Sequence, residues 1–80
     1  MSAEIKKFLA DNDKFIADVA KEISTINEEY ATGRISSGMH KELIKDAIEL
    51  AQVNAEAQTL ETKIKLERLI DFAKLVAKLV

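Results

Sequence analysis

The sequence contains no cysteine and a single histidine, and these absences remove the usual ways of reinforcing a very small domain. Its 80 residues form one small domain, and so short a chain buries only a marginal hydrophobic core. Without cysteine, disulfide bonds and thiolate metal sites are excluded. One histidine, His40, is too few ligands for a structural zinc site. We therefore predict no metal and no cofactor. Oligomerisation or a partner protein is the reinforcement that is left.

Helix breakers are also scarce. The sequence has no proline and only two glycines, Gly33 and Gly38. From Met39 onwards neither residue occurs, and the helix-favouring residues Ala, Leu, Lys, Glu and Ile dominate. The simplest interpretation is one long helix from about residue 38 to about residue 79.

Long apolar runs are missing as well. No window approaches 18 uncharged apolar residues, and the first residues lack the apolar core of a signal peptide. We therefore expect a cytoplasmic protein.

Acidic and basic residues are nearly balanced, with a net charge of −2. This net charge gives no general attraction to nucleic acid. The charges are unevenly placed. Residues 42–62 carry five acids against the single base Lys45, whereas residues 63–80 carry five bases against Glu67 and Asp71. This polarity either sets a head-to-tail register between copies or is a solvated face without a role, since exposed ion pairs contribute little.

The first third of the chain has helical periodicity. Apolar residues recur at steps of 3, 4, 3 and 4, the spacing of a coiled-coil seam. They are Ile16, Val19, Ile23, Ile26 and Tyr30. Asn12 falls on this seam between two aspartates. Either the helix pauses there and Asp11 or Asp13 caps a second helix, or Asn12 is a buried polar residue that sets register. We favour the continuous helix.

The segment between the two periodic regions predicts a turn. Gly33 can take the left-handed conformation that closes a helix. Ser36 or Ser37 can then accept hydrogen bonds from the first amides of the next helix. The fold predicted from the sequence is therefore all-α: a single domain over residues 1–80, built as an antiparallel, coiled-coil-like helical hairpin with a helix at about 3–31, a turn at 32–37 and a long helix at about 38–79.

The two helices of this hairpin differ in length. At about 1.5 Å per residue the first helix is about 44 Å long and the second about 64 Å. Roughly 14 residues then project beyond the hairpin, and over residues 66–80 the apolar arc is about 200° wide, twice what a surface helix needs. We therefore expect an oligomer that buries this segment. The predicted association surface is Leu66, Leu69, Phe72, Ala73, Val76 and Leu79. The predicted intramolecular core is Ile16, Val19, Ile23, Ile26, Leu43, Leu50, Leu60 and Ile64.

Arrangements that support chemistry are missing. Residues 11–22 begin like a calcium loop, but Phe15 and Ile16 stand where an oxygen ligand and a glycine are needed. His40 has no second histidine or properly spaced glutamate, so it is interpreted as a solvated residue in the first helical turn. Glu42 and Asp46 would face phosphates in a helix-turn-helix, which argues against nucleic-acid binding. We predict a protein that is not an enzyme.

The turn resembles that of a known group of proteins. Gly33, Ile35 and Ser36, followed by Leu43, form a Gly-x-Ile-Ser turn similar to that of small helical-hairpin proteins of tailed bacteriophages. The resemblance covers about half the chain. It implies a phage-encoded accessory, virion or assembly component, located in the virion, and it carries over no functional residue.

Together these patterns predict a structural or assembly protein that self-associates through its C-terminal helix. Two alternatives stay open. One is a small helical inhibitor or regulator that buries the apolar segment in a host protein. The other is a peripheral membrane protein, because residues 72–80 combine apolar side chains with Lys74 and Lys78 as interfacial helices do.

Overall fold

Residues 3–79 are described by a computed structural model of the chain, in which four α-helices follow one another. They are α1 (Ala3–Leu9), α2 (Lys14–Ala31), α3 (Ser37–Ala55) and α4 (Leu60–Leu79). No strand occurs within residues 3–79, and the all-α prediction is confirmed. Three residues of the predicted domain 1–80 lie outside the described residues: Met1, Ser2 and Val80. Val80 is also the last residue of the predicted association segment 66–80.

The prediction of two long helices is wrong, since each of them is divided in two. The molecule measures 36 × 24 × 17 Å along its principal axes. A helix over residues 38–79 is about 64 Å long at 1.5 Å per residue and does not fit within these dimensions. In place of a long hairpin, α1 packs against α2, and α4 packs against both α2 and α3.

The first division lies at Asp11–Asp13, and the prediction of a continuous helix there is wrong. Asp13 has an extended backbone (φ −79°, ψ 108°), and its carboxylate accepts a hydrogen bond from the N–H of Phe15 at 3.0 Å. This is the N-cap of α2, which satisfies an amide that has no partner inside the helix. Asn12 is exposed rather than buried on a seam. The alternative interpretation, a pause with a capping aspartate, is the one that the structure adopts.

The turn between α2 and α3 forms as predicted. Gly33 has a φ of +76°, in the left-handed region. The N–H of Gly33 donates to the carbonyl of Tyr30, and the N–H of Arg34 donates to that of Glu29, which together make a Schellman motif. Ser36 then caps α3, because its hydroxyl oxygen accepts from the N–H of Met39 at 3.2 Å.

The second division, between α3 and α4, involves neither glycine nor proline. Thr59 makes it possible: its hydroxyl oxygen accepts from the N–H of Thr62 at 3.3 Å, and its carbonyl accepts from the N–H of Lys63. Thr59 therefore occupies a capping position ahead of α4, and Glu61 adds an acid to the first turn, where the helix dipole favours one. A threonine followed by an acidic first turn was the local signal for this break.

The hydrophobic core confirms part of the predicted set. Ile16, Ile23 and Ile26 of α2 are buried as predicted, and Val19 packs beside them half-buried. They meet α1 through Ile5, which is also buried.

The predicted core positions of the second half are mostly wrong. Leu43 is half-buried, whereas Leu50, Leu60 and Ile64 are 55%, 74% and 45% exposed. The core face of α3 is instead the one next to it, about 100° around the helix. It consists of Ile44, Ala47, Ile48, Ala51 and Ala55. This face is buried because α2 and α4 both pack against α3, and a single long helix does not allow the contact with α4.

Candidate interaction surfaces

The predicted association surface is divided by the fold. Leu66, Leu69 and Ala73 are at most 3% exposed and belong to the hydrophobic core. Phe72 and Val76 are half-buried, and only Leu79, at 80%, is largely exposed. Most of this set is therefore occupied by contacts within the chain.

The cause is the packing of α4 against α2 and α3, with α1 contacting the second half of α4 at Phe72. The Phe8 and Phe72 rings lie 6.3 Å apart between centroids. Val76 lines a groove together with Ile5 and Leu9 of α1. The argument that the apolar segment needs a partner because it projects beyond a hairpin is thus wrong, since the chain covers much of the segment itself.

A smaller apolar surface stays open at the end of α4. Leu75 is 55% exposed and Leu79 is 80% exposed. They are four residues apart and so lie one above the other on the same side of the helix. An exposed lysine directly precedes each leucine: Lys74 before Leu75 and Lys78 before Leu79. We call these four residues the C-terminal ridge.

A groove lined by lysines runs between α3 and α4. Lys41 and Lys45 stand on α3, and Lys74 and Lys78 on α4, with a volume of about 500 Å³ between them. One acid, Glu49, shares the groove. Apolar side chains also line it: Ile44, Ile48 and Ala77. In a chain with a net charge of −2, this lysine groove is a local concentration of positive charge.

A second groove, between α2 and α3, has the opposite charge. Its volume is about 740 Å³, and one base, Lys21, lies among its acids. The acids are Asp18, Glu22, Glu29 and Asp46. Ile26, Leu43, Ala47 and Leu50 provide its apolar lining. This is the acidic groove, and the exposed Leu50 stands within it.

The single histidine lies inside the protein, and its interpretation as a solvated residue is wrong. His40 has 0% exposure. Its Nε2 lies 2.7 Å from Oδ1 of Asn27 on α2, and its ring centroid lies 5.0 Å from that of Tyr30, with the two ring planes tilted by 46°. Its Nδ1 is buried without a hydrogen-bond partner. Burial lowers the pKa of His40, and the charge of Lys41 lowers it further.

We expect the neutral form of His40 to make folding pH-dependent. The unfolded chain takes up a proton on His40 near pH 6.5, whereas the folded chain does so only at lower pH. The free energy of unfolding therefore falls as the pH drops below about 6.5, by at most about 1.4 kcal/mol per pH unit. Urea unfolding between pH 7 and pH 5 measures this, and the His40→Phe variant should lack that slope.

An NMR titration of the imidazole in the native chain tests the same point without a substitution. The chain has one histidine, so the signal is unambiguous. A titration midpoint at or above 6.5 would contradict the prediction.

The loop between α1 and α2 is held against the start of α4 by charged and polar contacts. Nζ of Lys65 lies 3.0 Å from the Asp11 carboxylate, and the hydroxyl of the buried Thr62 donates to Asp13. The N–H of Asp13 and then Lys65 lower the pKa of Asp11, and the hydrogen bond to Asp11 raises the pKa of Lys65. These contacts fix the loop against the first turns of α4.

Comparison with known proteins identifies no relative. No family model, no characterised protein sequence and no solved structure matches the chain. Among residues 3–79, no helix combines the length and the apolar character that crossing a membrane requires. Nor does that part of the chain group three His, Asp or Glu side chains as a metal ion would need.

Some of these surfaces can be predicted from the sequence and others cannot. The apolar residues of the C-terminal ridge are visible there, because Leu75 and Leu79 lie in the wide apolar arc of residues 66–80. The lysine groove is not visible, because it lies between α3 and α4, whose pairing the sequence pattern does not predict. The acidic groove lies between the two helices of the predicted hairpin, but the prediction places Leu43 and Leu50 of its lining in the core. His40 was missed because a lone histidine has no pattern that distinguishes burial from exposure.

Proposed function

We propose that this chain is a non-enzymatic structural protein that assembles with copies of itself through the C-terminal ridge. The supporting observation is the exposure of Leu75 and Leu79 side by side at the end of α4. Lysines flank both leucines, so the ridge combines apolar area with charge. The predicted role in self-association through the C-terminal helix is kept, but it moves from the buried Leu66, Leu69 and Ala73 to the outer side of the helix.

The expected affinity is modest. Covering the exposed parts of two leucines contributes roughly 1–2 kcal/mol each. The loss of translational and rotational freedom on association costs several kcal/mol, so contacts from the lysines and their surroundings are needed in addition. We therefore expect assembly at micromolar concentrations or above.

Replacing both leucines tests the proposal. In sedimentation equilibrium between about 5 and about 200 µM, the native chain should show a mass that rises with concentration. The variant Leu75→Ser/Leu79→Ser should sediment as a monomer, because the apolar part of the contact is gone. Circular dichroism should show an unchanged helix content, since both side chains are exposed.

The variant Val53→Ser/Leu60→Ser is a matched control. It also removes two exposed apolar side chains, but at the corner between α3 and α4. It should assemble like the native chain. A native chain that stays monomeric at the highest concentration, or a control that loses assembly as fully as the ridge variant, would refute the proposal.

The phage assignment remains a proposal, and the two alternatives are proposals with their own tests. The resemblance of the turn at Gly33, Ile35 and Ser36 supports a role in a phage particle.

Flotation with anionic vesicles tests the membrane alternative, to which the ridge with its two lysines is suited. A native chain that is monomeric and captures one foreign protein in stoichiometric amount would favour the regulator.

A further inference from the structure

The two grooves beside α3 have opposite charge and lie on opposite sides of that helix. Lys41 and Lys45 line the groove towards α4, and Leu43 and Asp46 line the groove towards α2. Since successive residues turn by about 100°, Leu43 and Lys45 point about 160° apart. Each molecule therefore presents a basic edge and an acidic edge separated by the width of α3.

We propose that the acidic groove of one molecule receives the C-terminal ridge of a second copy. This inference rests on the proposed function and names the surface that the ridge binds. The ridge is convex, with two lysines beside two leucines. The groove is concave, with four acids against the single base Lys21 and an apolar lining that includes the exposed Leu50. A helix that places apolar residues at i and i+4 into an apolar groove is a common mode of recognition.

The ridge must come from another molecule. Lys74 and Lys78 line the lysine groove of their own chain, on the side of α3 away from the acidic groove. A folded chain therefore cannot place its own ridge in its own acidic groove. The acceptor is available only on a neighbour.

Charge also favours this contact over a symmetric one. In a symmetric contact of two ridges, Lys74 and Lys78 of one copy face the same lysines of the other, and like charges at close range are unfavourable. In the acidic groove the same lysines meet Asp18 and Glu22. The groove is therefore the better acceptor for the ridge.

The contact is head-to-tail, because the two surfaces that meet are different. Such contacts generate either closed rings, in which every ridge and groove is used, or open chains, which leave one ridge and one groove free at their ends. Assembly should also weaken with salt. At about 0.5 M NaCl the screening length is only about 4 Å, and the attraction between lysines and carboxylates is largely lost.

A charge-swap experiment tests the pairing. The variant Lys74→Glu/Lys78→Glu has an acidic ridge and an acidic groove, and the variant Asp18→Lys/Glu22→Lys has a basic ridge and a groove with two of its acids reversed. Each variant alone should associate at least about tenfold more weakly than the native chain, because its two surfaces repel. An equimolar mixture of the two should assemble again, because each ridge then finds a groove of opposite charge.

The variant Lys7→Glu/Lys63→Glu is the control for net charge. It changes the charge of the chain by the same amount as Lys74→Glu/Lys78→Glu, but at exposed lysines of α1 and of the first turn of α4 that line neither groove. We expect it to assemble like the native chain. If it fails as fully as the ridge variant, or if the mixture of the two swapped variants does not assemble, the proposed pairing is wrong.

Failure of this inference can be told apart from failure of the proposed function. If the native chain assembles and the Leu75→Ser/Leu79→Ser variant does not, the ridge is an assembly surface whatever the charge variants do. Charge variants that assemble normally would then overturn only the choice of the acidic groove. A native chain that never assembles would overturn both.

Discussion

Replacing Leu69 by alanine is expected to lower the free energy of unfolding by roughly 2–5 kcal/mol, the range for a fully buried leucine. Leu69 is 0% exposed at the centre of the core, so the substitution leaves a cavity. The same substitution at Leu60, which is 74% exposed, is expected to change the stability by less than about 0.5 kcal/mol. Urea unfolding followed by circular dichroism measures both values.

This pair of variants distinguishes the two interpretations of the chain. In a single long helix over residues 38–79, Leu60 belongs to the hairpin core and Leu69 lies beyond it. The long hairpin therefore predicts the reverse order, with Leu60→Ala the more harmful change. Equal effects of the two variants, or a larger effect at Leu60, would contradict the folded-back position of α4. The measurement should be made at low protein concentration, so that assembly does not contribute.

Replacing Asp13 by alanine is expected to lower the free energy of unfolding by about 2 kcal/mol, the sum of two losses. The N–H of Phe15 loses its capping acceptor. The hydroxyl of Thr62, a buried residue, loses the carboxylate to which it donates. Because the second bond joins the first loop to α4, the substitution weakens the tertiary structure as well as the helix start.

Asn12→Ala is the matched control for this substitution. Asn12 is the exposed neighbour of Asp13 in the same loop, and its replacement should change the stability by less than about 0.5 kcal/mol. Asp13→Asn should lie in between, since asparagine keeps an oxygen that can cap α2. A continuous helix with Asn12 on its seam predicts the opposite, a large effect at Asn12. Thermal or urea unfolding of the three variants decides between them.

The best-predicted part of the molecule is the one governed by local interactions. The turn at Gly33 and Ser36 formed as expected, because a left-handed glycine and a capping serine act on backbone groups within a few residues of themselves. The core face of α2 was predicted for a similar reason. Its isoleucines recur with a period that only one helical face can hold, whatever packs against it.

The core face of α3 shows where this reasoning stops. Two series of apolar residues in α3 have helical spacing, and they lie about 100° apart around the helix. One contains Leu43 and Leu50, and the other contains Ile44 and Ile48. The spacing alone favours neither series. The structure buries the second because α2 and α4 pack on that side, which leaves Leu50 exposed in the acidic groove.

The position of α4 had the largest consequence for function. The break at Thr59 depends on a side-chain cap, a weak signal beside the absence of glycine and proline over the same segment. Once the chain bends there, Phe72 reaches Phe8 and the supposed need for a partner largely disappears. The surface that stays open is smaller and lies at the end of the helix.

Sequence patterns by themselves determined that this protein is helical, where its central turn lies and which side of α2 is buried, since each of these follows from contacts between neighbours in the chain. Only the tertiary structure decided that α4 folds back, that His40 is buried beside Asn27, and that the charges collect in two grooves on either side of α3. The physical reason is that burial and groove formation depend on which helices meet. That choice is made by the summed packing of the whole chain rather than by any local pattern.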